Sequence, residues 1–342
     1  MLHEGLALAK LCSMTCNITI IGAGAMGCLI GGRLARAGHT VSFVARGVQL
    51  AALRDHGLTL NSEHDHWHGA VNATDDARTL GAQDAVILCT KAYQLEGAVA
   101  HLAPLLDDDT LVVPAVNGLP WWYFHQHGGD FDGRHLVSLD PNGVLARAVD
   151  TQRIIGCVNY LAGTLTEPGH VHYVHELERR IVIGELGGAT TARLERLASA
   201  FADGGFAPVM SDDIRQTIWH KLWGNIAFNP ISALTHGTID QIALGYHDID
   251  LVTAVMNEAR NIADKLGITL SQTTKSRVEA AAKMRGHKTS MLVDIEQGRP
   301  TEIEAIVGAV REIGRWMEES TPHLNTLYSL VKLKERFYSH ST

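Results

Sequence analysis

The chain has 342 residues, 46% hydrophobic and 19% charged, with 29 Lys plus Arg against 37 Asp plus Glu and a formal net charge of −8. That length suits about two ordinary domains with cores of their own, and the composition is too apolar and too lightly charged for a disordered chain. The acidic balance argues against a nucleic-acid or anionic-membrane surface, and no run of about eighteen apolar residues offers a bilayer-spanning helix.

Residues 1–16 lack the pattern of a secretory signal and read as an extension ahead of the fold. Asn17–Ile21 is a short, apolar, β-branched run, the mark of a buried strand. Gly22-Ala23-Gly24-Ala25-Met26-Gly27 follows at once. A small-residue helix over Cys28–Ala37, closed by Gly38, and a second apolar strand over Thr40–Ala45 complete one βαβ unit. Asp84–Cys89 is continuously apolar, as a parallel strand buried on both faces must be. Gln94–Leu106 reads as a helix and Thr110–Val116 as a strand ended by Asn117-Gly118. Strand–helix alternation of this kind predicts a doubly wound parallel sheet of Rossmann type. Between about Leu136 and Leu186 the pattern predicts an antiparallel extension of that sheet.

After Pro208 helical periodicity takes over, at Ile214–Phe228, Asp248–Leu266, Thr274–Arg285 and Glu302–Glu318. Thr321-Pro322 opens one more helix. The predicted architecture is therefore an α/β Rossmann-type domain over 17–207 and an all-helical domain over 208–340. The cysteines Cys12, Cys16, Cys28, Cys89 and Cys157 are odd in number and form no CxxC pair. They read as reduced thiols of a cytoplasmic protein.

Gly22, Gly24 and Gly27 form GxGxxG between a strand and a helix, the context in which the motif binds a dinucleotide. The helix N-terminus offers free N–H groups and a positive dipole end to the pyrophosphate. An NAD site usually carries an acid at the end of the second strand. Here that place holds Arg46, whose guanidinium suits a 2′-phosphate, so the expected cofactor is NADP, used as NADPH. Lys91 and Asn117 stand at the carboxyl ends of later strands and should share the same rim. Lys91 is then in reach of phosphate or ribose, and Asn117 of nicotinamide or substrate.

In the helical half, Lys221, Asn225 and Asn229 recur every four residues, on one face of a helix whose other faces are apolar. Asn is a poor helix-interior residue, so the stripe reads as the polar wall of a pocket. A hydride delivered to a ketone leaves an alkoxide, which needs a proton and charge stabilisation. A protonated Lys supplies both.

The motifs IIGAGAMG, CTKAYQ, VNGLP, IWHKLWGNIAFNPISAL and HKTSMLVDIEQGRPTEIE, in this order from about Asn17 to Tyr338, resemble those of the ketopantoate reductases (2-dehydropantoate 2-reductases). The resemblance implies NADPH-dependent reduction of a small-molecule 2-oxo acid in pantothenate synthesis; such a reductase with Lys221 needs no metal, and the acidic balance leaves no nucleic-acid or membrane partner to expect. The resemblance makes Lys221 the proton donor, and Asn225, Asn229 and Ser290 substrate contacts. Asn117 is then shared by nicotinamide and substrate, and Glu302 organises the reacting centre and cofactor. Read from the sequence alone, Ser290 also serves as a cap for a Met291–Gln297 helix, and Glu302 as a favourable charge at the start of its own helix. Oligomeric state stays open, a homodimer included.

Trp121-Trp122-Tyr123-Phe124 and the Thr235-His236 stretch depart from the family's pattern. The aromatic block either packs under the domain junction or narrows the pocket. It therefore keeps another branched or aromatic 2-oxo acid in view as substrate. A nucleotide sensor that binds NADPH without turnover is the reading from another class. His64, His66 and His68, like His172 and His175, read as solvated strand positions rather than metal ligands, since no fourth ligand accompanies them. Val307–Met317 reads as core.

Overall fold

The computed structural model describes residues 15–174, 179–245 and 248–338. Residues 1–14 of the expected extension, with Cys12, lie outside the described residues, as do His175 and the last positions of the helical domain. The strands are β1 (Asn17–Ile21), β2 (Thr40–Val44), β3 (Leu58–Asn61), β4 (His66–Gly69), β5 (Asn72–Thr74), β6 (Ala85–Leu88), β7 (Leu111–Pro114), β8 (Ile155–Asn159), β9 (Gly163–Glu167), β10 (His170–Tyr173), β11 (Arg180–Glu185) and β12 (Ala207–Met210).

The principal sheet has the order β5-β2-β1-β6-β7, and every pairing in it is parallel. Its central strands are buried on both faces, β6 wholly and β1 from Ile18 on, with Thr19 the one polar side chain among those buried positions. The order reverses between β1 and β6, which places the ligand crevice outside the carboxyl ends of those two strands.

The region from Leu136 to Leu186 differs from the expected antiparallel extension. Leu136–Arg153 forms turns and a short helix, Val144–Ala148, whose N-terminal N–H groups at Leu145 and Ala146 donate to buried Asp140. The strands that follow build two smaller mixed sheets, β12-β11-β8 and β4-β3-β10-β9. Within them β11 runs antiparallel to β8 but parallel to β12, and β10 antiparallel to β9 but parallel to β3. These parallel partners are distant in sequence, so local turn signals could not announce them. β12 spans the expected boundary at 207/208, and its pairing with β11 keeps it with the sheets.

The helical half opens with Ile214–Thr235, longer than the predicted Ile214–Phe228. A residue before proline is disfavoured as helix, yet the helix runs on through Asn229 and Pro230. The segment Ile226–Ala233 is buried throughout, so packing outweighs the hydrogen bond that Pro230 cannot donate. Further helices span Ile239–Leu244, Asp248–Lys265, Thr274–Ala281, Ser290–Glu296 and Pro322–Tyr338. In place of one helix over Glu302–Glu318, a π turn at Glu304–Gly308 leads into a helix at Ala309–Trp316. Ile306, Val307, Val310 and Ile313 in this stretch are core, as expected.

One apolar core continues from the underside of the parallel sheet into the helical half, joining Ile21, Val86 and Val112 to Trp219, Ile226 and Val310. Trp121, Trp122, Tyr123 and Phe124 are all buried in it. The aromatic block therefore packs under the junction, where the Trp219 indole N–H donates to the Tyr123 hydroxyl at 2.7 Å. His66 and His68 lie exposed on the edge strand β4, and His172 is exposed on β10. Among the described residues no group of three His, Cys, Asp or Glu side chains is arranged to hold a metal. Nor is any helix there long and apolar enough to cross a membrane.

Candidate active site

β1 ends in the tight turn at Gly22, φ +103°. The helix Ala25–Arg36 starts at once, with Gly24 as its N-cap, no side chain capping its N–H groups and no acid in its first turn. Such an end is free to take an anion. Gly24 is exposed, Ala25 and Met26 are partly covered, and Ala23 and Gly27 are buried beneath them. The Gly22 N–H donates to the Val44 carbonyl of β2 at 3.2 Å. Arg46, two residues further on, is exposed at the same rim and precedes a helix, Gly47–His56, with no acid in its first turn.

The rim continues to Lys91 and Asn117, and there it meets the helical half. Lys221 Nζ donates to Asn117 Oδ1 at 2.9 Å and to the Asn159 carbonyl at 2.6 Å. Asn117 Nδ2 in turn donates to Glu302 Oε2 at 3.3 Å. Glu302, only 4% exposed, also accepts from the Ala92 N–H at 3.1 Å and faces Lys91 Nζ at 3.7 Å. One amide thus bridges an ammonium and a carboxylate, its oxygen toward the cation and its nitrogen toward the anion.

The domains are pinned together beside this chain of contacts. Gly118 has φ +85°, and a Cβ there would lie 2.4 Å from the Ala305 carbonyl oxygen in the π turn. That same carbonyl accepts from the Leu119 N–H at 2.8 Å. Here a left-handed backbone and a close approach both require glycine.

Lys221 is partly covered as a residue, but its ammonium end is enclosed by protein. Burial lowers its pKa from the usual lysine value to about 8, against the opposing pull of Cys157 and Glu302. The ammonium stands 5.8 Å from the centre of the Tyr160 ring. A small cavity of about 20 Å³ adjoins it, lined among others by Asn117, Trp122, Cys157, Lys221, Leu222 and Asn225. The Trp122 indole nitrogen is buried and has no hydrogen-bond partner. Of the predicted stripe, Asn225 joins Lys221 at this cavity. Asn229 is one turn further on, 5% exposed and outside the lining.

Ser290 is exposed at the start of its helix, and the cap is Thr289, whose hydroxyl accepts from the Leu292 N–H at 3.1 Å. Lys91, expected at phosphate or ribose, has its ammonium 2.6 Å from Asp294. Asp294, 1% exposed, also holds Arg299. The sequence reading passed over Asp294, although it lies four residues after Ser290 on one helix. It also passed over Asn159, which acts through its backbone carbonyl and so leaves no side-chain signal.

The descriptions "Ketopantoate reductase PanE/ApbA" and "Ketopantoate reductase PanE/ApbA C terminal" match residues 18–188 and 213–335. The chain belongs to the ketopantoate reductase family. A 2-dehydropantoate 2-reductase of Mesorhizobium japonicum is 42% identical over 317 residues, covering 92% of this chain and 97% of that protein. The crystal structure of a chain from Ralstonia solanacearum MolK2, ascribed to the same family, superposes with a TM-score of 0.90 at 38% identity, covering 95% of this chain and 99% of the other. A 2-dehydropantoate 2-reductase from Geobacter metallireducens GS-15 gives 0.80 at 28% identity, covering 92% and 99%. This ketopantoate reductase-family chain is accordingly an oxidoreductase of the C=O/CH–OH class, and its fold of parallel sheet plus helical half is the family's.

Proposed function

We propose that this chain reduces 2-dehydropantoate to pantoate with NADPH, in the cytoplasm, as a step of pantothenate biosynthesis. The observation that carries the reading is the Lys221–Asn117–Glu302 chain of contacts, which joins the proton-bearing helix to the rim of the nucleotide crevice. The uncapped first turn after Gly22, Gly24 and Gly27, with Ala23, Ala25 and Met26, fits a pyrophosphate, and Arg46 fits the 2′-phosphate. Lys91 and Glu302 border the nicotinamide side. NADPH bound there supplies the hydride.

Lys221 releases its proton to the carbonyl oxygen as negative charge develops on it. Its lowered pKa makes it a better acid than an ordinary lysine. Asn117 holds the ammonium by its oxygen, and Glu302 fixes the amide's orientation so that the oxygen cannot rotate away. Asn225, Asn229 and Ser290 hold the hydroxyl and carboxylate ends of the substrate. Kinetics of Lys221→Ala with NADPH and 2-dehydropantoate test the reading. General acid catalysis is worth about 10²–10⁴-fold, and kcat close to wild type would remove Lys221 from this role.

The Trp122 side chain lining the cavity favours a second reading, in which the substrate is another branched or aromatic 2-oxo acid. A panel of 2-oxo acids followed by NADPH absorbance separates the two. Highest kcat/KM on 2-dehydropantoate retires the second.

A further inference from the structure

A 2-oxo acid presents a carboxylate next to the carbon that is reduced, and a pocket that selects it benefits from a fixed cation distinct from the proton donor. Lys221 is committed to Asn117 and the Asn159 carbonyl, and Lys91 to Asp294 and Glu302. Neither is at liberty to pair with the substrate without breaking a contact described above.

Arg277 has no such commitment. It lies on the helix Thr274–Ala281 and its guanidinium rests directly on the catalytic helix at Gly224, three residues from Lys221 and beside Asn225. A Cβ at position 224 would come within 2.5 Å of Arg277 Nη2 and 3.0 Å of Nε. The glycine is therefore what lets the guanidinium settle there. Among the described residues its side chain has no hydrogen bond or ion pair. Burial lowers its pKa, and the titratable group that interacts with it is the Tyr160 phenol, neutral near pH 7, rather than a carboxylate.

Tyr160 connects this guanidinium to the reacting centre. It directly follows Asn159, whose carbonyl holds Lys221, and its ring faces Lys221 Nζ at 5.8 Å. On the same ring Arg180 stacks at 4.0 Å. Arg260 and Arg277 both act on His220, which burial already pushes down. In a chain of net charge −8, the guanidinium of Arg277 thus stands against the helix that carries Lys221. An uncompensated, half-buried guanidinium is costly to keep unless a ligand pairs with it.

We infer that Arg277 is the specificity-determining cation of this site: it joins the polar side chains named above in receiving the carboxylate of the 2-oxo acid, while Lys221 faces the carbonyl oxygen. The inference rests on the proposed reductase activity and adds to it the group that distinguishes a 2-oxo acid from a neutral ketone. Fork-like pairing suits a planar guanidinium.

The test compares wild type, Arg277→Gln and Arg277→Lys on 2-dehydropantoate and on its neutral carboxamide, with NADPH saturating. A charge-assisted contact of this kind is worth about 10- to 100-fold in binding. The expected result is a KM for the acid raised by about that factor in Arg277→Gln, with kcat and the KM for NADPH little changed. The KM for the carboxamide should stay near its wild-type value, and Arg277→Lys should recover part of the loss. A KM for the acid that is unchanged, or that rises equally for acid and carboxamide, overturns the inference and leaves the reductase reading intact. A wild-type enzyme that turns over no 2-oxo acid overturns the reductase reading itself, and the inference with it.

Discussion

Asn117 and Lys221 are 104 positions apart in the chain and meet at 2.9 Å across the junction of the two halves. The contact ties the ammonium to the half of the chain that carries the glycine turn, so the position of Lys221 depends on how the halves are seated. In the proposed role Lys221 must be protonated for reduction, and burial lowers its pKa to about 8. We expect kcat/KM for reduction to fall about tenfold per pH unit above pH 8, a limb measurable by initial rates and absent from the residual activity of Lys221→Met.

Glu302→Gln should move that limb. The carboxylate raises the Lys221 pKa, so its removal disfavours the ammonium and lowers the apparent pKa. The pH–rate profile of the variant is expected to turn down below pH 8. A limb that stays in place would show that Glu302 does not act on Lys221 electrostatically.

The same lysine is expected to weaken the fold. Its pKa is about 8 when folded and near 10.4 when unfolded. The unfavourable burial of its charge is fully present below pH 8 and disappears as pH rises toward the unfolded value. Lys221→Met should therefore raise the denaturant midpoint at pH 7, by up to about 3 kcal/mol in stability, and the gain should shrink at pH 10. Stabilisation bought at the expense of turnover is a common property of active-site residues.

Arg46→Ala tests the coenzyme. Loss of charge-assisted hydrogen bonds to a phosphate costs about 1.5–3 kcal/mol, so the KM for NADPH should rise about 10- to 100-fold, with that for NADH nearly constant. Equal losses for both coenzymes would detach Arg46 from the 2′-phosphate.

Gly118→Ala should cost at least about 1–3 kcal/mol from the left-handed backbone alone, and more from the clash with the Ala305 carbonyl. Urea unfolding measures it. Activity should fall together with stability, because the same turn positions Asn117.

The parallel sheet was legible from Ile18–Ile21, Val86–Leu88 and Val112–Val113, because strands buried on both faces leave apolar, β-branched runs, interrupted here only by Thr19. The glycine turn was legible because its residue types are dictated by backbone geometry. The stripe of Lys221 and Asn225 showed itself through helical period, and Asn117 through its place after a strand. Other features follow from tertiary contacts that no local pattern records. Pairing of β10 with β3, passage of the helix through Pro230, and the attachment of Lys91 to Asp294 belong to this kind. Arg277 belongs there too: in sequence it is one more charge on a polar helix, and only Gly224 in the folded chain gives it a site.

The aromatic block has a last consequence for engineering. All four aromatics sit in the seam that both halves share, and of them Trp122 alone also lines the cavity. Reshaping the pocket by trimming this stretch would loosen the weld between coenzyme platform and acid-bearing helix at the same stroke. A library aimed at new oxo acids should therefore leave Trp121, Tyr123 and Phe124 in place and replace Trp122 only by side chains of similar bulk.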